Sequence, residues 1–297
     1  MSKSLVNLFF QKTFNTFDES IVFYLQISHL SQKIQSYIRE IVGTTEALLG
    51  KNSIYAVMLF GSAANSHNTK ISDVDLMVIV KDTINKRRIK EMDPILTGIV
   101  IKHRYRNYSN VWHAKMLHTI EKSTGMFCSY FITRISSWNK NDFAEIFSTN
   151  PLLTRLLAPN KIVLDSMRRG TIVLYQEINE EINLKPIKES YPKTQLIKSL
   201  ILNLMTSLGT LFILFLNKKN IKYMLEAVKW SIRSCDFYST KVINPLSEIS
   251  ETYQKLGLEM EFLQKFLELR NNPRHNLIFC LKVPFNIIKI HLLTLKL

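Results

Sequence analysis

The sequence predicts an α/β (α+β) fold in which a small sheet-containing domain precedes an all-helical domain. In the first half of the chain, short and continuously apolar runs end at turn residues, as buried strands do, and they alternate with segments of helical periodicity. Beyond residue 194, apolar residues recur every three or four positions over long segments. We therefore expect residues 1–190 and 191–297 to form two domains, joined by the charged, proline-containing stretch 176–193.

The individual elements follow from the same patterns. An amphipathic helix is expected over residues 18–49, and the apolar runs 54–60 and 74–80 are predicted to be buried strands. Further strands are expected at 98–104 and 125–136, short helices at 142–147 and 151–157, and a mixture of helix and strand over 161–175. Five helices should complete the chain, at 195–216, 221–239, 243–257, 259–270 and from about 283 to the end.

Composition narrows the class of protein. Hydrophobic residues make up 46% of the 297 residues, which is enough for a buried core and too many for a disordered chain. Lys+Arg 39 against Asp+Glu 24 gives a net charge of +15, which favours polyanionic partners such as nucleotides and nucleic acids. A basic surface without any such partner has the same composition, so charge alone does not identify the partner.

The cysteines and the apolar segments of the sequence indicate in which cellular compartment the protein is expected. Cys128, Cys235 and Cys280 lie far apart and form no zinc-type pair, so we expect reduced thiols in a cytoplasmic protein, and no export segment is evident. Residues 199–216 carry no charge and approach the roughly 20 residues of a membrane span. Ser199 and Asn203 argue against insertion, and no second segment of this kind is expected. A helix buried within a bundle is the preferred interpretation.

The motif that carries chemistry lies between the first two predicted strands. Gly61-Ser62 ends the first strand, and Asp73-Val74-Asp75 opens the second after ten intervening residues. Asp73 and Asp75 are two apart on a strand, so both side chains should leave the same face. Neighbouring carboxylates repel unless a cation lies between them, and Mg²⁺ prefers carboxylate and phosphate oxygens as ligands. A metal site at Asp73 and Asp75 is therefore predicted.

Gly61 and Ser62 supply a phosphate-binding turn in the same prediction. Glycine allows a sharp turn and a close approach to a ligand, and the Ser62 hydroxyl and nearby amides are donors for phosphate oxygens. Either half of the motif alone is common in solvated turns. Their combination between two buried strands favours phosphoryl or nucleotidyl transfer, which depends on alignment and charge neutralisation.

This order of elements resembles the polymerase-beta-like nucleotidyltransferase superfamily, especially its minimal and kanamycin-type members. The resemblance implies a small mixed sheet with an appended helical domain. It also implies transfer of a nucleoside monophosphate from an NTP, with ATP the expected nucleotide, to an acceptor hydroxyl on a protein, an RNA or a small molecule. Gly61 and Ser62 would then hold the nucleotide, while Asp73 and Asp75 would be the catalytic residues and would bind Mg²⁺.

One departure from the family leaves an alternative open. Members usually add a third carboxylate from a later strand, but residues 98–104 and 125–136 contain no Asp or Glu. A catalytically weak or inactive nucleotide- or RNA-binding module of the same fold is therefore the second hypothesis. Cations and aromatics alternate over residues 102–108, as they do in RNA-binding surfaces, although a solvated strand edge is the more ordinary interpretation.

A third hypothesis comes from the end of the chain. The spacing of Arg270 and His275 is similar to the motif of HEPN ribonucleases, which would make the chain an antitoxin-type nucleotidyltransferase with a HEPN-like helical domain. So short a motif also arises by chance in a basic chain.

Overall fold

The computed structural model describes residues 21, 25–64, 74–105, 129–177, 181–187, 190–216 and 221–296. Its strands form one sheet in the order β3-β2-β1-β4. Strand β1 is antiparallel to β2 and β4, whereas β2 is parallel to β3, so the sheet is mixed, as the family resemblance implies. The strands are β1 (Ile54–Phe60), β2 (Asp75–Val80), β3 (Tyr130–Arg134) and β4 (Ile172–Gln176).

Seven helices accompany the sheet among the described residues before 190. They are α1 (Gln32–Leu49), α2 (Gly61–Ala64), α3 (Lys86–Lys102), α4 (Ile135–Asn139), α5 (Phe143–Ile146), α6 (Pro151–Leu157) and α7 (Asn160–Arg169). The helix expected over 18–49 begins at Gln32, and residues 18–20 and 22–24 lie outside the described part.

The strand expected at 98–104 is wrong, because residues 98–102 continue helix α3. The Asn85 side chain caps that helix by accepting a hydrogen bond from the Arg87 amide. Met92, Leu96 and Ile99 are buried on the side of α3 that faces α1, at spacings of four and three. An apolar run of this length is compatible with a helix or a strand, and here the packing of its apolar side against α1 stabilises the helix.

The two faces of β2 pack against different layers. Val74, Leu76 and Val78 belong to the core cluster that includes α1 and α3. Met77 and Ile79 point to the opposite face, into a cluster formed with α5 and α7. Because side chains alternate along a strand, the Asp75 side chain points to the same face of the sheet as Met77. Asp75 is the first residue of β2, so no earlier residue of this strand lies beside it on that face.

The predicted helical region is present. Its helices are α8 (Thr194–Leu216), α9 (Ile221–Thr240), α10 (Leu246–Lys255), α11 (Met260–Asn271) and α12 (Leu277–Thr294). They enclose one core cluster whose members lie between residues 196 and 293, whereas both clusters around the sheet lie within residues 21–187. A small cluster of Ile162, Tyr191 and Phe237 joins the two regions. The domain boundary at 190/191 stays a prediction.

Two helices, rather than the single expected segment, are long and apolar enough to cross a membrane by length and composition. They span Thr194–Phe212 on α8 and Leu277–Thr294 on α12. The predicted burial of α8 holds for one side only: Ser199, Asn203 and Ser207 are buried, whereas Leu208 is 54% exposed.

Candidate active site

The glycine turn after β1 lies directly against the Asp75 carboxylate. The antiparallel register pairs Phe60, the last residue of β1, with Asp75, the first of β2. Gly61 follows with φ +73°, a left-handed conformation that glycine adopts without steric cost. A Cβ atom at Gly61 would collide with Oδ2 of Asp75. Both the conformation and the close approach therefore require glycine at this position.

Three of the four predicted site residues line one cavity of about 520 Å³. Gly61, Ser62 and Asp75 lie on its sheet side, where Gly61 and Ser62 open the short helix α2. Asp73 lies outside the described residues. The opposite side of the cavity is built from α8, α9, α10 and α11, so the site is a cleft between the sheet region and the helical region.

The helical wall of the cleft contributes three cations, of which the sequence analysis singled out only Arg270, and that one for a different role. Lys229 and Arg233 are four apart on α9 and share one face, and Arg270 reaches the cleft from α11. Burial lowers the pKa of Arg233, and the Asp75 carboxylate is among the charges that oppose this shift. Asp75 and Arg233 therefore interact electrostatically across the cleft.

A buried carboxylate neutralises only part of this positive charge. Glu226 accepts a hydrogen bond from Nη1 of Arg270 at 2.9 Å and pairs with Lys229 through its second oxygen. Burial alone would raise the pKa of Glu226, but Lys229 and Arg270 together lower it to about 2, so Glu226 is ionised. Glu226 thus pairs with Lys229 and Arg270, and the carboxylates of Asp75 and Asp236 act together with it on Arg233.

The cationic wall has unused donor capacity. The Nε atoms of Arg233 and Arg270 are buried and have no hydrogen-bond partner among the described residues. Native proteins rarely leave buried donors without a partner, and guanidinium groups match the oxygens of phosphate. This part of the cleft therefore suits a polyanion.

The charged residues on the helical wall of the cleft form a pattern that is visible in the sequence. Glu226, Lys229 and Arg233 occur at spacings of three and four and so share one side of α9, roughly opposite the apolar residues Met224 and Val228, although α9 has buried residues on both sides. Charged residues on a buried helix face are rare unless they are paired or functional.

The rest of the cleft is largely aromatic. The Phe60 ring stacks on Phe131 with centroids 6.0 Å apart, and Trp230 and Phe237 line the helical side. Asp236 also lines the cleft. Burial raises the pKa of Asp236, while Nδ2 of Asn244 donates a 3.0 Å hydrogen bond to its carboxylate and opposes the shift.

Apolar walls with one convergent carboxylate are typical of a site for a small organic molecule. The predicted strands contained no third carboxylate, whereas Asp236 lies on helix α9, far along the chain from those strands.

The described residues contain no group of three His, Cys, Asp or Glu side chains that could hold a metal ion. Strand β3 supplies no carboxylate to Asp75, as its sequence indicated. Mg²⁺ is nonetheless commonly held by one or two carboxylates together with substrate phosphates. Asp75, beside a turn that faces a polyanion-compatible wall, fits that kind of site.

The other candidate surfaces have structural partners. Lys102 and His103 both contact Glu40 at 2.7 Å, and Tyr105 packs edge-on against Tyr37. These residues end helix α3 rather than forming a strand edge, and residues 106–108 lie outside the described part.

The proposed HEPN pair is not assembled on one helix. Helix α11 ends at Asn271, one residue after Arg270, and His275 is exposed in the following segment. Arg270 instead lies on the helical wall of the cleft, where it pairs with Glu226.

Comparisons with known proteins agree with this geometry. Residues 44–109 match the family described as "Polymerase beta, Nucleotidyltransferase". No protein among the curated sequences matches the chain significantly. A similar solved structure is spectinomycin adenyltransferase AAD(9) from Enterococcus faecialis with ATP and spectinomycin. Its TM-score is 0.51 at 12% identity, over 90% of this chain and 99% of that chain.

The matched segment contains β1, the glycine turn, Asp75 and helix α3, and the structural likeness covers both regions that form the cleft. The predicted resemblance is therefore confirmed: residues 44–109 match the polymerase-beta nucleotidyltransferase family, and the fold is similar to that of an adenyltransferase.

Proposed function

We propose that the protein is a Mg²⁺-dependent nucleotidyltransferase that moves a nucleoside monophosphate from an NTP, with ATP the expected donor, to a hydroxyl of a small organic acceptor. One observation carries the proposal: a glycine turn packed on the Asp75 carboxylate lies across a single cleft from Arg233 and Arg270, whose buried Nε atoms have no hydrogen-bond partner among the described residues. The match to the nucleotidyltransferase family and the fold similarity to an adenyltransferase support the same assignment.

In this proposal the triphosphate lies between the two walls of the cleft. Ser62 donates to its oxygens from the sheet side, and Lys229 and Arg233 neutralise its charge from the helical side. Asp73 and Asp75 would hold Mg²⁺, which supplies further neutralisation of the phosphate charge when bound. The contribution of this chain is thus to align the nucleotide and to exclude water on both sides.

The acceptor is expected to occupy the aromatic part of the cleft beside Asp236. Its hydroxyl oxygen would attack the α-phosphorus in line, so that a new P–O bond forms as the bond to the β-phosphate oxygen breaks and pyrophosphate leaves. Asp236, whose pKa burial raises, is our candidate to accept the hydroxyl proton. The aromatic walls favour a small molecule, because they are enclosed rather than extended along a surface.

The proposal is tested by nucleotide binding and transfer with wild type and Asp75→Asn. Binding of Mg·ATP is measured by calorimetry, and labelled ATP, GTP, CTP and UTP are incubated with a panel of hydroxyl compounds that includes spectinomycin. Asp75→Asn should abolish transfer and weaken Mg·ATP binding. Asp82→Asn is the matched control, because Asp82 follows the other end of β2 and accepts hydrogen bonds from Ser136 outside the cleft.

Equal transfer by wild type and Asp75→Asn would contradict the assignment. The inactive-module hypothesis predicts a different pattern, in which no acceptor is labelled and salt-sensitive RNA binding persists in Asp75→Asn.

A further inference from the structure

Two neighbouring helices of the helical region present an uncharged apolar surface to solvent. Helices α8 and α12 pack against each other. On α12 every exposed position is apolar, and on α8 every exposed position between Thr194 and Phe212 is apolar as well. The α12 side chains are Leu277, Ile278, Leu281, Phe285, Ile288 and Leu292. The α8 side chains are Ile197, Ile201, Met205, Leu208 and Phe212. We call these eleven side chains the apolar face.

The orientation of α8 is the reverse of that expected for an outer helix of a monomer. Its buried side carries Ser199, Asn203 and Ser207, whereas Met205 and Phe212 are more than half exposed. An amphipathic helix normally turns its apolar side toward the core. The buried polar side is held within the protein, since Nε2 of His291 accepts from the Ser199 hydroxyl at 3.2 Å. The outward apolar side therefore needs another partner.

The spacing on α12 indicates what kind of partner fits. Exposed apolar residues occur at 278, 281, 285, 288, 292 and 295, so the intervals alternate between three and four. This is the heptad spacing with which one helix packs into the grooves of another. A narrow stripe at this spacing is typical of a helix–helix seam rather than of a broadly buried helix.

The size of the apolar face also matches an interface between two proteins. With about 200 Å² for a large side chain and the observed exposures of 38–74%, the face offers on the order of 1,000 Å². The largest apolar patch of a typical monomer covers about 300–600 Å². A stable interface needs about 800 Å² from each partner. The area is therefore sufficient for a dimer.

Charge distinguishes a protein partner from a lipid surface. Helices that lie on membranes carry Lys and Arg along their polar side, which attract anionic lipid headgroups. The polar side of α8 carries Ser and Asn and is buried. Two copies of a chain with a net charge of +15 repel each other in general, but none of the eleven side chains of the apolar face is charged, and the lysines at its edge on α12, Lys282 and Lys289, are only partly exposed.

We infer that the apolar face is covered by the same face of a second copy of this chain. The contact is isologous, so that α8 and α12 of each copy form a four-helix layer about a two-fold axis. The cleft opens elsewhere on the protein, since its α8 residues, Ser199, Leu202 and Asn203, lie on other sides of that helix. Dimerisation by this face therefore leaves nucleotide access unchanged.

Sedimentation velocity in detergent-free buffer tests the inference. Wild type should sediment as a species of twice the 34.6 kDa of one chain, dissociating only on dilution. The double variant Leu208→Glu/Phe285→Glu should sediment as a monomer, because burying two carboxylates per copy opposes association. Thr252→Glu is the control: it adds a carboxylate at an exposed position of α10 and should leave the dimer intact.

Circular dichroism checks that the double variant is folded. If it is not, wild type alone decides: amide hydrogen exchange in α8 and α12 should accelerate when the protein is diluted below the dissociation constant, and concentration-independent exchange there would overturn the inference. A monomeric wild type overturns it as well. If that monomer co-floats with vesicles containing anionic lipid, the face is a membrane-binding surface. A double variant that remains dimeric would place the dimer contact elsewhere.

Discussion

Gly61→Ala tests the central geometric feature of the site. The substitution adds one methyl group where the structure has left-handed backbone at φ +73° and where the added Cβ would overlap Oδ2 of Asp75. The two effects are separable, because backbone strain acts on stability whereas the overlap displaces a side chain of the site. Gly61→Ala should therefore lose both stability and activity.

The magnitudes follow from the two effects. A non-glycine residue held in a sparsely populated backbone conformation costs about 1–3 kcal/mol. Displacing a group of the site by ~1 Å costs roughly 100-fold in rate. Since the Cβ and the carboxylate oxygen cannot occupy their observed positions together, we expect Gly61→Ala to transfer nucleotide at least about 100-fold more slowly than wild type.

Gly50→Ala provides a matched control. Gly50 has φ +104° and ψ 159°, a region that only glycine adopts readily, and a Cβ there would have no neighbour within 4 Å. Urea unfolding should give both variants a loss of about 1–3 kcal/mol. Only Gly61→Ala should lose Mg·ATP binding and transfer. If Gly61→Ala works at the rate of Gly50→Ala, the contact between the turn and Asp75 has no role in the reaction.

Three further predictions concern buried ionisable groups. Arg233→Gln should weaken Mg·ATP binding by about 10- to 100-fold in calorimetry, since a charge-assisted hydrogen bond contributes about 1.5–3 kcal/mol, whereas Arg87→Gln on the exposed side of α3 should bind as wild type does. Glu226→Gln should lower the free energy of unfolding by about 3–5 kcal/mol, because two buried cations lose their counter-charge; an unchanged urea midpoint would contradict the buried pairing. His291 has its pKa lowered from 6.5 to about 4 by burial, opposed by its hydrogen bond to the Ile287 carbonyl. Its neutral form is favoured in the folded state, so stability should fall by about 3 kcal/mol as the pH drops from about 6.5 to 4, and His291→Gln should lack this component of the pH dependence in urea unfolding.

The sequence determined the sheet strands that hold the motif and the motif itself. β1 and β2 were predicted almost to the residue, because each is an apolar run bounded by a turn or a charged residue, of a length that is typical of strands and short for helices. The approach of Gly61 to Asp75 depends on the strand pairing that the structure shows, since an antiparallel pair brings the end of one strand beside the start of the next.

Tertiary packing decided the features that depend on contacts between distant segments. Residues 98–102 became helix because Leu96 and Ile99 pack against α1, a contact that the local pattern does not encode. Arg233 faces Asp75 only because the helical region folds over the sheet edge, which brings together residues far apart in the chain. The same holds for α8: Ser199 contacts His291, which lies 92 residues further along the chain, on the side of α8 that packs inward, while Met205 and Leu208 face outward. The local sequence determines which side chains are more stable when they are buried or paired. Which residues they then contact depends on the whole fold, because those partners lie far away in the chain.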